Sequence, residues 1–269
     1  MLRVIKILLY IAIFGALATP LVVTPNILPY ISTFPQAMYF RMLVEIALVM
    51  WAILFFFKRV ALPSRSWVLG TTVLYFIVLT LTSILGFNPA RSFWGTLSRA
   101  EGLFTLLHFL AFFLLLISVL RTEAQWRWAL RVMAFISVPI GVVAILQTFN
   151  IFTLLPGGCG EAGCARVNGT FGNTGFYGGY LVMIIFLAVF LTVYETKKVW
   201  QWCFGFLALA NLVLLLMTGT RAGWVAVAVS SVFLGSSWFF LLPAAARKKR
   251  LFLLGGSLTM LLIFLGLYL

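Results

Sequence analysis

The stretch Leu214 to Val229, LLLMTGTRAGWVAVAV, decides how this chain is read. Two apolar runs are separated by the five residues Thr218 to Ala222, and one of the five is an arginine. A connection this short forces the flanking segments into an antiparallel hairpin. Each segment extends to roughly 20 apolar residues, the length that crosses about 30 Å of hydrocarbon. The guanidinium of Arg221 would then sit near a membrane interface, held by the turn between two spans.

The rest of the chain repeats the pattern. Of its 269 residues, 64% are hydrophobic and 9% charged, where a soluble domain carries roughly 25% charged residues. Long apolar runs recur from end to end and predict an all-α, polytopic transmembrane helical bundle forming a single membrane domain. About nine spans are expected, at 5–23, 38–57, 67–85, 103–120, 129–149, 175–193, 200–217, 223–242 and 251–269. A β-barrel would show segments of about ten residues with alternating polarity, a pattern this sequence lacks. The first run is followed by Pro25, Asn26 and Pro29 rather than a small-residue cleavage site, so it reads as a span and not a signal peptide.

The net charge of +14 invites a nucleic-acid reading, and its distribution argues against one. With the N-terminus cytoplasmic, the inner side receives Arg3, Lys6, Lys58, Arg59, Arg65, Arg121, Arg127, Arg131, Lys197, Lys198 and the run Arg247 to Arg250. That is 14 of the 19 basic residues, as the positive-inside rule requires. The basic excess is a topology signal, and the expected surroundings are a lipid bilayer, with no nucleic-acid partner. The outer side keeps Arg41, Arg91, Arg99, Arg166 and Arg221. The outer loops, 24–37, 86–102, 150–174 and 218–222, are rich in Gly, Pro, Asn and aromatics, whereas the inner loops are short. Loops carry function more often than spans, so the exported face is the informative one.

Cys159 and Cys164, in GGCGEAGCAR, fall in an outer loop, where an oxidising compartment permits a disulfide. Free thiols are the alternative. A metal site would need two more ligands, and neither a histidine nor a third cysteine is near. Cys203 lies in a span and reads as packing. The sequence stops at Leu269 inside apolar residues, so the chain is expected to continue in nature into a further outer segment.

Three outer stretches concentrate arginine with small and polar residues. Besides TGTRAGW around Arg221, the run CARVNGTFGNTGFYGGYLVM, Cys164 to Met183, places Arg166 before a glycine-rich segment that opens into a span. Asn168, Thr170, Asn173 and Thr174 offer hydrogen bonds and helix caps there. A helix N-terminus with a nearby arginine reads as an anion site, against the alternative that the glycines serve turns and packing. In GFNPARSFWGTLSRAEGLFTLLHF, Gly86 to Phe109, Arg91, Arg99 and Glu101 lie among Phe93, Trp94 and Phe104. These aromatics fit the interfacial belt, and guanidinium beside rings also suits sugars and phosphates. Glu101 is placed to orient Arg99 by a salt bridge, and it is the second-best candidate for a base. Arg41 and Glu45 are four apart and are expected to pair structurally. His108, the sole histidine, reads as a buried hydrogen-bonding group rather than a catalyst.

At RSFWGTLSRAEGL, RVNGTFGNTGFYGGYL and TGTRAGW, in that order, the sequence resembles the O-antigen ligase and polymerase superfamily of bacterial envelope glycosyltransferases. The resemblance runs from about Gly86 to Trp224. Thr220 stands where that family usually has Ser, and Thr174-Gly175 where it commonly has Pro-Asn. It implies a bundle of about a dozen helices that moves a glycan from undecaprenyl diphosphate to an acceptor such as lipid A core, a protein or a polymer. No cofactor, nucleotide sugar or metal is implied. Arg166 and Arg221 match the arginines that contact the diphosphate and are the expected catalytic residues. Arg99, Arg91, Glu101, Asn168, Asn173 and Thr220 are the expected substrate-binding set. The family's catalytic histidine would lie beyond Leu269. The expected location is the bacterial cytoplasmic (inner) membrane with the active site outward. Polymerase activity of the same superfamily is the alternative. Two further readings are a lipid-linked glycan transporter, for which Pro139-Ile140-Gly141 offers the only mid-span break, and a non-catalytic scaffold of envelope assembly.

Overall fold

In a computed structural model of the protein, the structure describes residues 1–24, 32–96, 99–149, 159–160, 163–164 and 166–241. They divide into two compact units. The first is built from Met1–Ile140 and Thr170–Gly172, the second from Gly141 onward without those three residues.

In the first unit, helix α1 (Leu2–Leu17) passes through a 3₁₀ turn at Thr19–Leu21, and α2 (Thr33–Phe56) packs against it. Then come α3 (Trp67–Leu85), the short α4 (Pro89–Trp94), α5 (Leu103–Val119) and the first part of α6 (Glu123–Thr148). Leu9, Ile13 and Ala16 of α1 meet Phe40, Val44, Ala47 and Leu54 of α2 and Phe112, Leu115 and Val119 of α5 in one core. Their spacings of three, four and seven are the stripe by which a helix buries one side. Ser66 caps α3 by accepting from the Leu69 amide at 3.1 Å. None of the residues of α3 is buried. The hydroxyls of Thr71, Thr80 and Thr82 instead donate to carbonyls one turn back, which satisfies them inside an apolar helix. Arg121 donates to the carbonyls of Ser118, Ala61 and Leu62 and so ties the α2–α3 connection to the end of α5.

The second unit holds the end of α6, a two-stranded antiparallel hairpin (β1 Cys159–Gly160, β2 Gly163–Cys164), α7 (Thr174–Tyr194), α8 (Lys198–Met217) and α9 (Arg221–Leu241). Tyr177, Leu181, Ile184, Ala188 and Leu191 make the buried stripe of α7, and Phe204, Leu207, Ala208, Leu214 and Leu215 that of α8. Gly141 lets the end of α6 lie close to α8, since a Cβ there would stand 2.9 Å from Leu214 Cδ1.

Helices α1, α2, α3, α5, α6, α7, α8 and α9 overlap eight of the nine stretches expected as spans, and the ninth, 251–269, lies outside the described residues. Among the described residues, α2, α3, α6, α7 and α8 are the five helices long and apolar enough to cross a membrane. Helix α5 is apolar but shorter. Three expectations need correction. The 86–102 loop contains a helix, α4, which Asn88 starts by accepting from the Arg91 amide at 3.0 Å with Pro89 at its first position. The expected break at Pro139 is absent, because α6 continues through it. The 218–222 connection is shorter than five residues, because Arg221 already belongs to α9.

Candidate functional site

The second unit brings the RVNGT and TGTRAGW segments together. Helix α8 ends at Met217 with Thr218 as its cap, and Gly219 follows at φ +60, the left-handed residue that commonly closes a helix. Thr220 then caps α9, its carbonyl accepting from the Trp224 amide at 3.2 Å. A helix C-terminus leaves carbonyls unpaired and carries partial negative charge. Arg166 and Val167 satisfy three of them in a row. The Val167 amide donates to Met217 O at 3.3 Å, Arg166 Nε to Thr218 O at 2.8 Å, and Arg166 Nη2 to Gly219 O at 3.0 Å. A guanidinium has five N–H donors, so these two bonds fix its plane and leave three to face outward from an exposed side chain.

The first turn of α7 joins the same place. Asn173 Oδ1 accepts from the amides of Gly175 (2.7 Å) and Phe176 (3.3 Å), which makes Asn173 the α7 cap expected from its position. Thr220 Oγ1 donates to Thr174 O at 3.0 Å, and a Cβ on Gly178 would stand 3.2 Å from the Thr220 side chain. The N-termini of α7 and α9 therefore converge on Thr220. Arg221, exposed, is the first residue of α9, and Arg166 is docked on the residues just before it. Each N-terminus carries the positive end of a helix dipole, and at α7 the Gly175 and Phe176 amides are held by Asn173. The arrangement can bind an anion.

Asn168 stands apart from that surface. It is buried, and its Oδ1 accepts from Gln147 Nε2 at 2.9 Å. Gln147 Oε1 accepts from the amides of Asn168 (3.1 Å) and Gly169 (3.0 Å), while Nε2 also donates to Gly169 O at 2.9 Å. The side chain of Asn168 thus anchors the loop that carries Arg166. Gln147 is the residue sequence reasoning missed. Its only signal was an amide near the end of an apolar run.

In the first unit, Arg91, Arg99 and Glu101 do share a cleft, of about 620 Å³, with Asn88, Ser92 and Thr96. Two glycines shape it. Gly95, at φ +74, and Gly102 approach backbone to backbone, and a Cβ on Gly102 would fall 2.2 Å from Phe93 O. Arg99 Nη1 and Glu101 Oε2 are 3.9 Å apart, so the expected salt bridge exists as a long, exposed contact. The guanidinium over the Phe104 ring is that of Arg41, 5.1 Å from its centre. Thr170, Phe171 and Gly172 are tied to the start of α2 through Gln36 Nε2 (to Thr170 O, 3.2 Å) and Ser32 Oγ (to Phe171 O, 2.9 Å).

The expected Arg41–Glu45 pair is a further correction. Arg41 donates to Ala100 O and to Thr105 Oγ1, whereas Glu45 Oε1 meets His108 Nε2 at 3.1 Å. Four-residue spacing puts two groups on one side of a helix, but each turns to the partner that α5 and its preceding loop supply. His108 is buried, as expected, and its Nδ1 donates to Phe104 O at 2.7 Å.

The hairpin register sets Cys159 directly opposite Cys164. Cys203 is a free, half-buried thiol. Among the described residues no group of His, Cys, Asp or Glu is placed to hold a metal ion.

The fold and its composition define a helical membrane protein. In comparison with known proteins, no family model matches the chain, nor does a curated protein or a solved structure.

Proposed function

We propose that the protein is an O-antigen ligase-like glycosyltransferase. It would move a glycan from a polyprenyl-diphosphate carrier to an acceptor hydroxyl or amide on the outer face of the bacterial cytoplasmic membrane. The observation that carries this reading is the meeting of Arg166 with the Thr218–Arg221 segment, where the N-termini of α7 and α9 converge. Sidedness supports it: the positive-inside distribution leaves these two arginines on the exported side, where a lipid-linked sugar presents its phosphates.

The chemistry follows from charge. As the sugar C1–O bond breaks, the diphosphate leaving group gains negative charge. Fixed guanidinium and amide donors at that position stabilise the transition state more than the ground state. Arg166 is fixed by the Thr218 and Gly219 carbonyls, so little reorganisation is needed when charge develops. Arg221 adds a second cation at the start of α9. An acceptor hydroxyl must lose its proton to a base as it attacks the opposite side of C1, which inverts that carbon.

The test is alanine substitution at Arg166 and Arg221 in the protein reconstituted with a polyprenyl-diphosphate-linked glycan and its acceptor. Both variants should lose transfer and bind polyprenyl diphosphate weakly while inserting normally. Unchanged transfer in both would sink the assignment. Transfer absent from the wild type, with diphosphate binding retained, would favour the scaffold reading.

A further inference from the structure

We propose that the first unit holds one anionic phospholipid of the surrounding bilayer, with an acyl chain in a cavity between α2 and α5 and the phosphate on Arg91 and Arg99. Two voids carry the inference. One, of about 390 Å³, is walled by apolar side chains, among them Leu17, Ala37, Phe40, Leu106 and Phe109. The other is the polar cleft of about 620 Å³ described above. Arg99 and Glu101 stand in the walls of both, so the surroundings change from apolar to cationic across one pair of residues. Binding cavities for small molecules run to about 300–1,000 Å³, and each void falls in that range.

An amphiphile fits this gradient where other ligands do not. A free sugar or phosphate would leave the apolar void unfilled, and a hydrocarbon would leave the arginines unanswered. Charge narrows the class. Arg91 and Arg99 against Glu101 leave one net positive charge at the cleft, the complement of a phosphodiester. The Arg99–Glu101 contact of 3.9 Å is too long to tie up the guanidinium, which can still offer a phosphate two parallel N–H donors. The backbone at the edge the two voids share is held in place. Arg41 donates to Ala100 O and Thr105 Oγ1, both on the cavity lining, with its guanidinium over Phe104. Ala100 sits at φ +52, a conformation an alanine keeps only when its neighbours hold it.

The full chain reconstituted in nanodiscs of equal phosphatidylglycerol and phosphatidylcholine tests this, with native mass spectrometry reading the lipid that stays bound. The wild type should retain one phosphatidylglycerol, favoured over phosphatidylcholine by about tenfold, the worth of one charge-assisted hydrogen bond. The double variant R91A/R99A should retain both lipids equally. Filling the cavity by A37F, or separately by L106F, should remove bound lipid of either kind while helicity by circular dichroism is unchanged. A wild type that keeps no lipid, or keeps both alike, overturns the proposal, as does a double variant that still prefers phosphatidylglycerol. Retention is read by mass alone, so the outcome does not depend on glycan transfer.

Discussion

Arg166 Nε donates to the carbonyl oxygen of Thr218 across 2.8 Å, and its Nη2 donates to Gly219 O, so one side chain both caps α8 and stands beside the start of α9. The two duties separate by substitution. In R166K an ammonium can satisfy one carbonyl as a point charge but cannot hold two in a fixed plane. R166A should cost about 1 kcal/mol of stability, because the group is exposed and solvent screens its contacts. Under the proposed chemistry both variants should lose transfer far beyond that cost, with R166K retaining more than R166A. Thermal unfolding and transfer rates on the same preparations check it. Loss of activity in step with loss of folded protein would make Arg166 a cap only.

The glycines around the turn give a sharper contrast. Gly219 is left-handed, and a Cβ on it would lie 3.0 Å from Arg166 Nε, so G219A should cost about 1–3 kcal/mol. G178A would press on the Thr220 side chain at 3.2 Å and disturb the α7–turn contact. The adjacent Gly179 meets nothing within 4 Å, so G179A should be neutral or stabilising by helix propensity, up to about 1 kcal/mol. Melting temperatures in the order G179A, wild type, G178A, from highest down, are expected. An equal effect of G178A and G179A would contradict the packing.

These particulars show what the sequence made legible. Helices α2, α3, α7 and α8 follow from apolar run length, a property of consecutive residues, and their ends fall within a few residues of expectation. Asn173 was readable as a cap because a helix start is local too. Partners distant along the chain were not. Nothing near Arg166 announces a bond to Thr218, 52 residues on, and nothing near Gln147 announces Asn168, 21 residues on. Helix α4 was missed although its signal, Asn88 followed by Pro89, was present, because six residues show no apolar period. Glu45 misled for a related reason: its i,i+4 neighbour was visible, whereas His108, 63 residues away, was not.

Gln147 carries its own prediction. Q147A would leave the buried amides of Asn168 and Gly169 without an acceptor, at a cost of about 2–4 kcal/mol. Glutamate would restore the acceptor but not the donor to Asn168 Oδ1 and Gly169 O, so Q147E should not rescue stability. Hydrogen exchange at residues 168 and 169 should accelerate in Q147A, which removes their acceptor. Unaltered protection there would exclude Gln147 as the anchor of the loop.

The cross-strand register of Cys159 and Cys164 brings their backbones within the range a disulfide spans. Given the exported placement proposed for this hairpin, membranes isolated under alkylating conditions should yield only Cys203 as a labelled thiol, and reduction should expose two more. C159S/C164S should lower stability by about 2 kcal/mol, as expected for closing so short a loop. Labelling of all three cysteines without reductant would show that the bond does not form, or that the loop faces a reducing compartment.

Glu45 and His108 give the last prediction, because hydrogen-bond chemistry fixes where a proton must be. Phe104 O only accepts, so His108 Nδ1, at 2.7 Å from it, bears a hydrogen. Nε2 and Glu45 Oε1 then face each other at 3.1 Å, and two lone pairs cannot make that contact. The contact therefore contains a hydrogen. His108 is the sole histidine, so its ¹⁵N spectrum is unambiguous. It should show the shift of a hydrogen-bonded Nε2. In E45A the ring should revert to an ordinary Nδ1–H tautomer with a free Nε2. A wild-type spectrum already showing that free Nε2, unchanged by E45A, would mean that the two residues do not share a proton.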